Sequence, residues 1–232
     1  MKRSELNRYI SEAKDLFEKY RFKLPAWAYF TPEEWAEKSS EYGEIRENML
    51  GWDVTDFGLG EYEKTGLLLF TIRNGNYHKS DNKKTYAEKI MFVKRKQITP
   101  THFHWRKMED IINRGGGVLC IQVWKSDKHD ELSEEDFSVQ IDGVTHQVSA
   151  GQVIRLRAGE SISLEPRVYH KFWAEKATVL VGEVSQVSDD NTDNRFYDPL
   201  GRFPAIEEDE PPLHLLCNEY PNPDKPELNI ED

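Results

Sequence analysis

A mainly β fold of sandwich or barrel type, preceded by a helical arm, is what this sequence predicts. Three observations point to it. Between residues 66 and 185, short runs rich in Val, Ile, Leu, Phe and Thr recur at about ten-residue spacing with turn residues between them. No helix-period segment of useful length intervenes between Val118 and Ser185, which argues against alternating strand–helix units. The first twenty residues instead place apolar side chains at every third and fourth position.

The arm comes first. Leu6, Tyr9, Ile10, Ala13, Leu16, Phe17 and Tyr20 form one apolar stripe, with Ser4 as the expected N-cap and Pro25 closing the unit. Thr31-Pro32-Glu33-Glu34 predicts a second helix. Thr31 caps, Pro32 takes the first helical position and Glu34 completes a capping box. That helix is expected to run to about Tyr42, before Gly43. The arm should pack on the barrel, and it is a candidate for dimer contacts.

Strands are expected at 66–73, 88–95, 99–105, 118–124, 137–141, 144–148, 153–156, 161–164, 168–173 and 177–185, with Asp142-Gly143 as a tight hairpin turn. The C-terminal part is acidic and proline-rich: Glu207-Glu208-Asp209-Glu210 runs into Pro211-Pro212, and from Asn218 onward there is little to bury. The domain reading is an arm over 1–50, a barrel over 51–217 and a tail over 218–232.

Composition narrows the function. The 232 residues are 38% hydrophobic and carry a net charge of -11, so nucleic acid is a poor partner; phosphate binding needs clustered Lys and Arg. Cys120 and Cys217 form no C-x-x-C pair and no disulfide framework. The N-terminus has no apolar core of a signal peptide, and no stretch approaches the ~20 apolar residues that span a bilayer. A cytoplasmic protein without membrane contact is expected.

The chemistry is concentrated in Thr99-Pro100-Thr101-His102-Phe103-His104-Trp105-Arg106-Lys107-Met108-Glu109. Residues two apart on a strand share a face, so His102 and His104 project together. Glu109 follows closely enough to fold back, and His170 lies in a later strand that antiparallel pairing can bring opposite. Three imidazoles and one carboxylate leave two octahedral positions open. That set suits Mn, Fe, Co or Ni and is tolerated by Zn.

His102, His104, Glu109 and Gly116 follow the first motif of the cupin superfamily, and the chain resembles that superfamily. It departs in two places. Lys96 stands where the first motif has its leading glycine. Before His170, the stretch from Pro166 is one residue short and lacks the second motif's glycine. The fold expected is therefore a cupin (jelly-roll-like) β-barrel with an N-terminal helical arm. The likeness extends further, through Gly51-Trp52-Asp53-Val54-Thr55-Asp56-Phe57-Gly58, Thr85-Tyr86-Ala87-Glu88-Lys89, Glu109 to Gly117, Gly182-Glu183-Val184-Ser185, Asp193-Asn194-Arg195-Phe196 and the acidic run at Glu207. These resemble the bacterial D-lyxose isomerases. The resemblance implies a Mn2+-dependent, homodimeric aldose–ketose isomerase that interconverts D-lyxose with D-xylulose, with D-mannose and D-fructose as further substrates.

Such a reaction needs an acid and a base beside the metal. Lys107, between two ligands, is the first candidate, because a nearby cation disfavours its ammonium. Glu207 is the candidate base, if the tail folds over the barrel mouth with Ile206 as anchor. Glu183, in an otherwise apolar strand, is a sugar-hydroxyl ligand or half of a core ion pair. Lys89, sharing a face with Met91, binds a sugar oxygen if that face is inward. Asp193 and Arg195 could complete the sugar site or form a surface pair. Trp105, Trp124, Trp173, Phe103 and Phe172 could stack on a sugar but more simply belong to the core. The same ligands also serve cupin oxidoreductases (dioxygenases and oxidases), and a sugar-binding module without turnover is a third reading.

Overall fold

The computed structural model describes residues 1–222. Three helices, α1 (Arg3–Lys19), α2 (Pro32–Ala36) and α3 (Gly43–Glu47), lead into eleven strands. These are β1 (Gly51–Thr55), β2 (Leu67–Arg73), β3 (Tyr86–Val93), β4 (Ile98–His104), β5 (Glu109–Lys125), β6 (Phe137–Ile141), β7 (Val144–Val148), β8 (Gln152–Leu156), β9 (Ser161–Leu164), β10 (Val168–Gln186) and β11 (Asn194–Phe196).

The arm differs from expectation at both helix starts and stops. Ser4 does not cap α1. Its N–H and hydroxyl donate to the Asp209 carboxylate (2.9 and 2.7 Å), while Glu5 accepts from the Lys2 N–H. The acidic run collects at this end of α1, where the helix dipole favours negative charge. The Thr31–Glu34 capping box forms, yet α2 lasts only five residues. The chain turns to enclose the buried Trp35 ring between Phe30, Tyr42 and Tyr220, and Gly43 opens α3 instead of ending a helix.

The strand pattern holds, but one expected strand lengthens and one expected pair fuses. β5 continues from the metal motif through Gly115-Gly116-Gly117 to Lys125, and β10 runs unbroken across residues 174–176. Together they form one long antiparallel ribbon, from Val168↔Lys125 to Ser185↔Glu109, with register shifts between Glu175 and Val179. Gly116 sits at this irregularity at φ 108, and a Cβ there would collide with the Thr178 carbonyl. On its outer edge β10 pairs with β4 near its start and with β3 near its end; β5 pairs with β9 near its start and with β8 near its end. The eleven strands form one hydrogen-bonded sheet that the ribbon folds into two faces, one carrying β1-β2-β3 and β9-β6-β7, the other β11-β4 and β8. This is a cupin-type jelly roll.

Strand alternation sorts two cores. Leu69, Met91, Ile111, Ile121, Phe172 and Val181 fill the barrel. Their neighbours Leu68, Phe70, Ile90, Phe92 and Leu180 face outward and are covered by Leu6, Ile10, Ala13 and Phe17 of α1. The arm therefore packs on the barrel. The expected tail over 218–232 falls largely outside the described residues; within them, Tyr220 donates to the Leu50 carbonyl and Glu219 pairs with Arg3. Among the described residues, no helix is long and apolar enough to cross a membrane.

Candidate active site

Pairing of β4 with β10 sets His102 directly opposite His170, and alternation along β4 turns His104 to the same side while Phe103 faces away onto Tyr169. Backbone carbonyls orient two of the rings. The Nδ1 atoms of His102 and His170 lie 2.8 Å from Pro100 O and 3.0 Å from Val168 O. A carbonyl only accepts, so each Nδ1 carries the proton and each Nε2 presents a lone pair inward. Glu109 opens β5, and its Oε1 lies 3.3 Å from His104 Nε2 and 3.1 Å from His170 Nε2.

The donor set fits a divalent cation. One ligand atom from each of His102, His104 and His170 lies within 4.8 Å of the others. Glu109 Oε1 and His170 Nε2 are buried without hydrogen-bond partners, a costly arrangement for two acceptors unless a cation lies between them. Burial, reinforced by the neighbouring imidazoles, holds His102 well below the ordinary histidine range; burial and Lys107 lower His104. Both rings are thereby kept neutral, the form that binds metal. Burial alone would raise the Glu109 carboxyl, but Lys107 and His104 bring it well below the usual carboxylate range.

Beside the ligands lies a buried ionic cluster. Lys107 Nζ sits 2.7 Å from Glu109 Oε2 and 2.7 Å from Glu183 Oε1. Burial works against its ammonium, but Glu109, Glu183 and Asp190 more than compensate, and its pKa rises above the usual lysine value. This corrects the expected fall, because flanking carboxylates as well as the cation position decide the sign. Lys89 is inward-facing, donating to Ser188 Oγ (2.7 Å) and pairing with Asp190 (3.3 Å). Arg202 bridges Asp190 (3.3 Å) and Asp53. Three cations thus face four carboxylates, an excess of negative charge that a divalent ion reverses.

The cavity over the metal site is small, about 40 Å³, and is lined by the metal ligands, Lys89, Lys107, Glu183, Asp190 and Arg202 with Phe57, Phe172 and Phe196. Lys89, Lys107, Glu183 and the four metal ligands come together in it. Asp193 does not line it. Its buried carboxylate accepts from the backbone N–H of Arg106 (2.9 Å) and Lys107 (3.1 Å), so it fixes the loop that carries Lys107. Arg195 is also outside. β11 alternates, turning Asn194 and Phe196 inward while Arg195 donates to Tyr169 Oη (3.0 Å) and Asp130 O (3.2 Å). Glu207 is exposed and does not line the cavity. Its backbone pairs with Met1 and Arg3, because the acidic run docks on the start of α1. Of the aromatics considered, only Phe172 lines the cavity.

Asp190, Arg202, Asp53, Phe57 and Phe196 were missed. Asp190 and Arg202 lie on loops, where no periodicity marks an inward side chain. The motif departures resolve simply. Lys96 (φ 69) and Arg167 (φ 66) both adopt the left-handed conformation that the absent glycines would have taken. The Arg167 N–H donates to His104 O (2.9 Å), which ties the shortened turn before His170 to the ligand strand.

A jelly-roll barrel with a buried three-histidine, one-carboxylate group inside it defines a cupin of the metal-site type. The sequence model of the D-lyxose isomerase family matches residues 1–220. The chain is 47% identical over 223 residues to the D-lyxose/D-mannose isomerase of Escherichia coli O157:H7 and equally to that of Serratia proteamaculans, covering 95% of this chain and 98% of each relative. The chain belongs to the D-lyxose isomerase family and is a sugar isomerase. Among solved structures, the L-ribose isomerase of Acinetobacter sp. DL28 in complex with L-ribose superposes with a TM-score of 0.61 at 17% identity, over 89% of this chain and 98% of that one. That likeness concerns the fold.

Proposed function

We propose that this chain is a Mn2+-dependent aldose–ketose isomerase acting on D-lyxose and D-xylulose, and on D-mannose and D-fructose, by proton transfer through an enediol. One observation carries the reading: a buried cation-ready group of three histidines and Glu109 shares a cavity with the Lys107–Glu183 pair. The relatives' names supply the two aldoses. A cation held by His102, His104, Glu109 and His170 would supply positive charge against the oxygens of the enediolate; Fe, Co, Ni or Zn suit the same donors.

The chain's own residues then divide the work. Going from aldose to ketose, C2 loses a proton, C1 gains one, and the proton on O2 is exchanged for one on O1. Glu183 is the proposed carrier between the carbons. Lys107 (2.7 Å) and Ser185 Oγ (3.2 Å) both donate to its Oε1, which fixes the carboxylate and leaves Oε2 for the transferred proton. Lys107, a buried ammonium, is proposed to serve the oxygens. Lys89, Asp190 and Arg202 are proposed to hold the remaining hydroxyls. Asp193 acts through the Lys107 loop, and Arg195 and Glu207 have no part in contacting the sugar.

The test is conversion of D-lyxose and D-mannose by metal-stripped protein in D2O, with and without Mn2+, followed by NMR. Metal-dependent ketose carrying deuterium at C1 is the expected result. Binding without conversion of either aldose would overturn the reading. The homodimer implied by the resemblance belongs to the same proposal, and light scattering on the purified chain checks it.

A further inference from the structure

The metal cavity is the tighter of two cavities that meet at one wall. It offers about 40 Å³, against about 160 Å³ in its neighbour. A five-carbon sugar has ten heavy atoms. With C1 and C2 beside the histidines, the far end of the chain has more room on the other side of that wall.

A second cavity of about 160 Å³ adjoins the first. Lys89 and Asp190 line both and form the wall they share. Arg202 extends this wall from the metal side and pairs with Asp53, which lines the second cavity. The shared wall is thus built of side-chain tips, two of them the ends of long rotatable chains. Hydroxyls offer both donors and acceptors, so they can take over Lys89, Asp190 and Arg202 contacts without backbone movement. The far side is also built for polar groups. Asn74 is locked by donating to Ser188 O (2.8 Å), while Asn48 donates to Asn74 O (2.9 Å). Thr71, Cys217 and Phe203 bring less polar surface to the same space.

We propose that this second cavity is the distal subsite of the sugar. The open-chain aldose straddles the wall, with its reacting carbons at the metal and its terminal carbons beside Thr71, Cys217 and Phe203. The cavity's volume then sets how well a six-carbon aldose is used relative to a five-carbon one. This rests on the isomerase reading above and adds the means of discrimination within it.

The test compares kcat/KM for D-mannose and D-lyxose in two variants with Mn2+ present. Cys217→Leu fills the subsite, and Phe203→Ala, on a half-buried loop position, opens it. One methylene more or less in a pocket is worth about 10–200-fold. The mannose-to-lyxose ratio should therefore fall by about tenfold or more in Cys217→Leu and rise in Phe203→Ala. If Cys217→Leu does not fold, the rise in Phe203→Ala alone decides. A ratio unchanged in the variants that fold, with both sugars affected in proportion, would overturn the subsite while leaving the isomerase intact. A wild-type protein that turns over neither sugar would remove the isomerase reading and the subsite with it.

Discussion

Replacing Lys107 by Met should destabilise the metal-free protein severely. Lys107 is 2% exposed and is the common partner of Glu109 Oε2 and Glu183 Oε1, both at 2.7 Å. The substitution keeps most of the volume but leaves two buried carboxylates facing each other. Removing one partner of a buried ion pair costs about 3–5 kcal/mol. At about 2–4 °C per kcal/mol for a chain of this size, the melting temperature should fall by roughly 6–20 °C. A bound divalent cation supplies the missing positive charge, so saturating Mn2+ should recover much of the loss, beyond the ordinary gain from ligand binding seen in the wild type. Adding Glu183→Gln should also recover part of it, as a coupling of about 0.5–3 kcal/mol in a double-mutant cycle. Calorimetry of the four proteins with and without metal measures all of this. A metal-free Lys107→Met within 1 kcal/mol of wild type would show that the three side chains are not paired as described.

Other consequences are as direct. Glu183→Gln should lower kcat by about 10²–10⁴-fold, whereas Glu207→Ala should stay within about threefold, because Glu207 is exposed at the start of α1; equal effects in steady-state assays would reverse the assignment of the base. His214 is 4% exposed, and burial, with Lys14 Nζ 3.0 Å away, lowers its pKa despite the bond to Phe30 O and the more distant Glu34. A depressed folded-state value means that His214's contribution is intact above the unfolded pKa of about 6.5 and is lost as pH falls below it. Urea titrations of His214→Gln should therefore lose less stability than wild type between pH 7 and 5. Lys96→Gly removes a left-handed penalty of about 1–2 kcal/mol while adding roughly 0.4–1 kcal/mol of chain entropy. The urea midpoint should rise slightly, and a fall would mean that the exposed lysine contributes through its side chain.

The sequence by itself determined the elements whose signal is local. Period-two alternation put His102 and His104 on one face and turned Lys89 with Met91, and the three–four repeat marked the buried stripe of α1. The ligand set was readable because motif spacing on a strand is also spacing in space. Tertiary structure decided the rest. Nothing local says that Gly115-Gly116-Gly117 continues a strand rather than ending one; the pairing of β5 with β10 across the bulge decides it. Nothing local separates Asp190, which enters the cavity, from Asp193, which ties down the Lys107 loop. The acidic run at Glu207, expected over the barrel mouth with Ile206 as its anchor, instead docks on the start of α1 some two hundred residues earlier in the chain. Period and spacing fix which side of its own element a residue faces. Which partner meets that side is settled only when distant segments compete for the same surface.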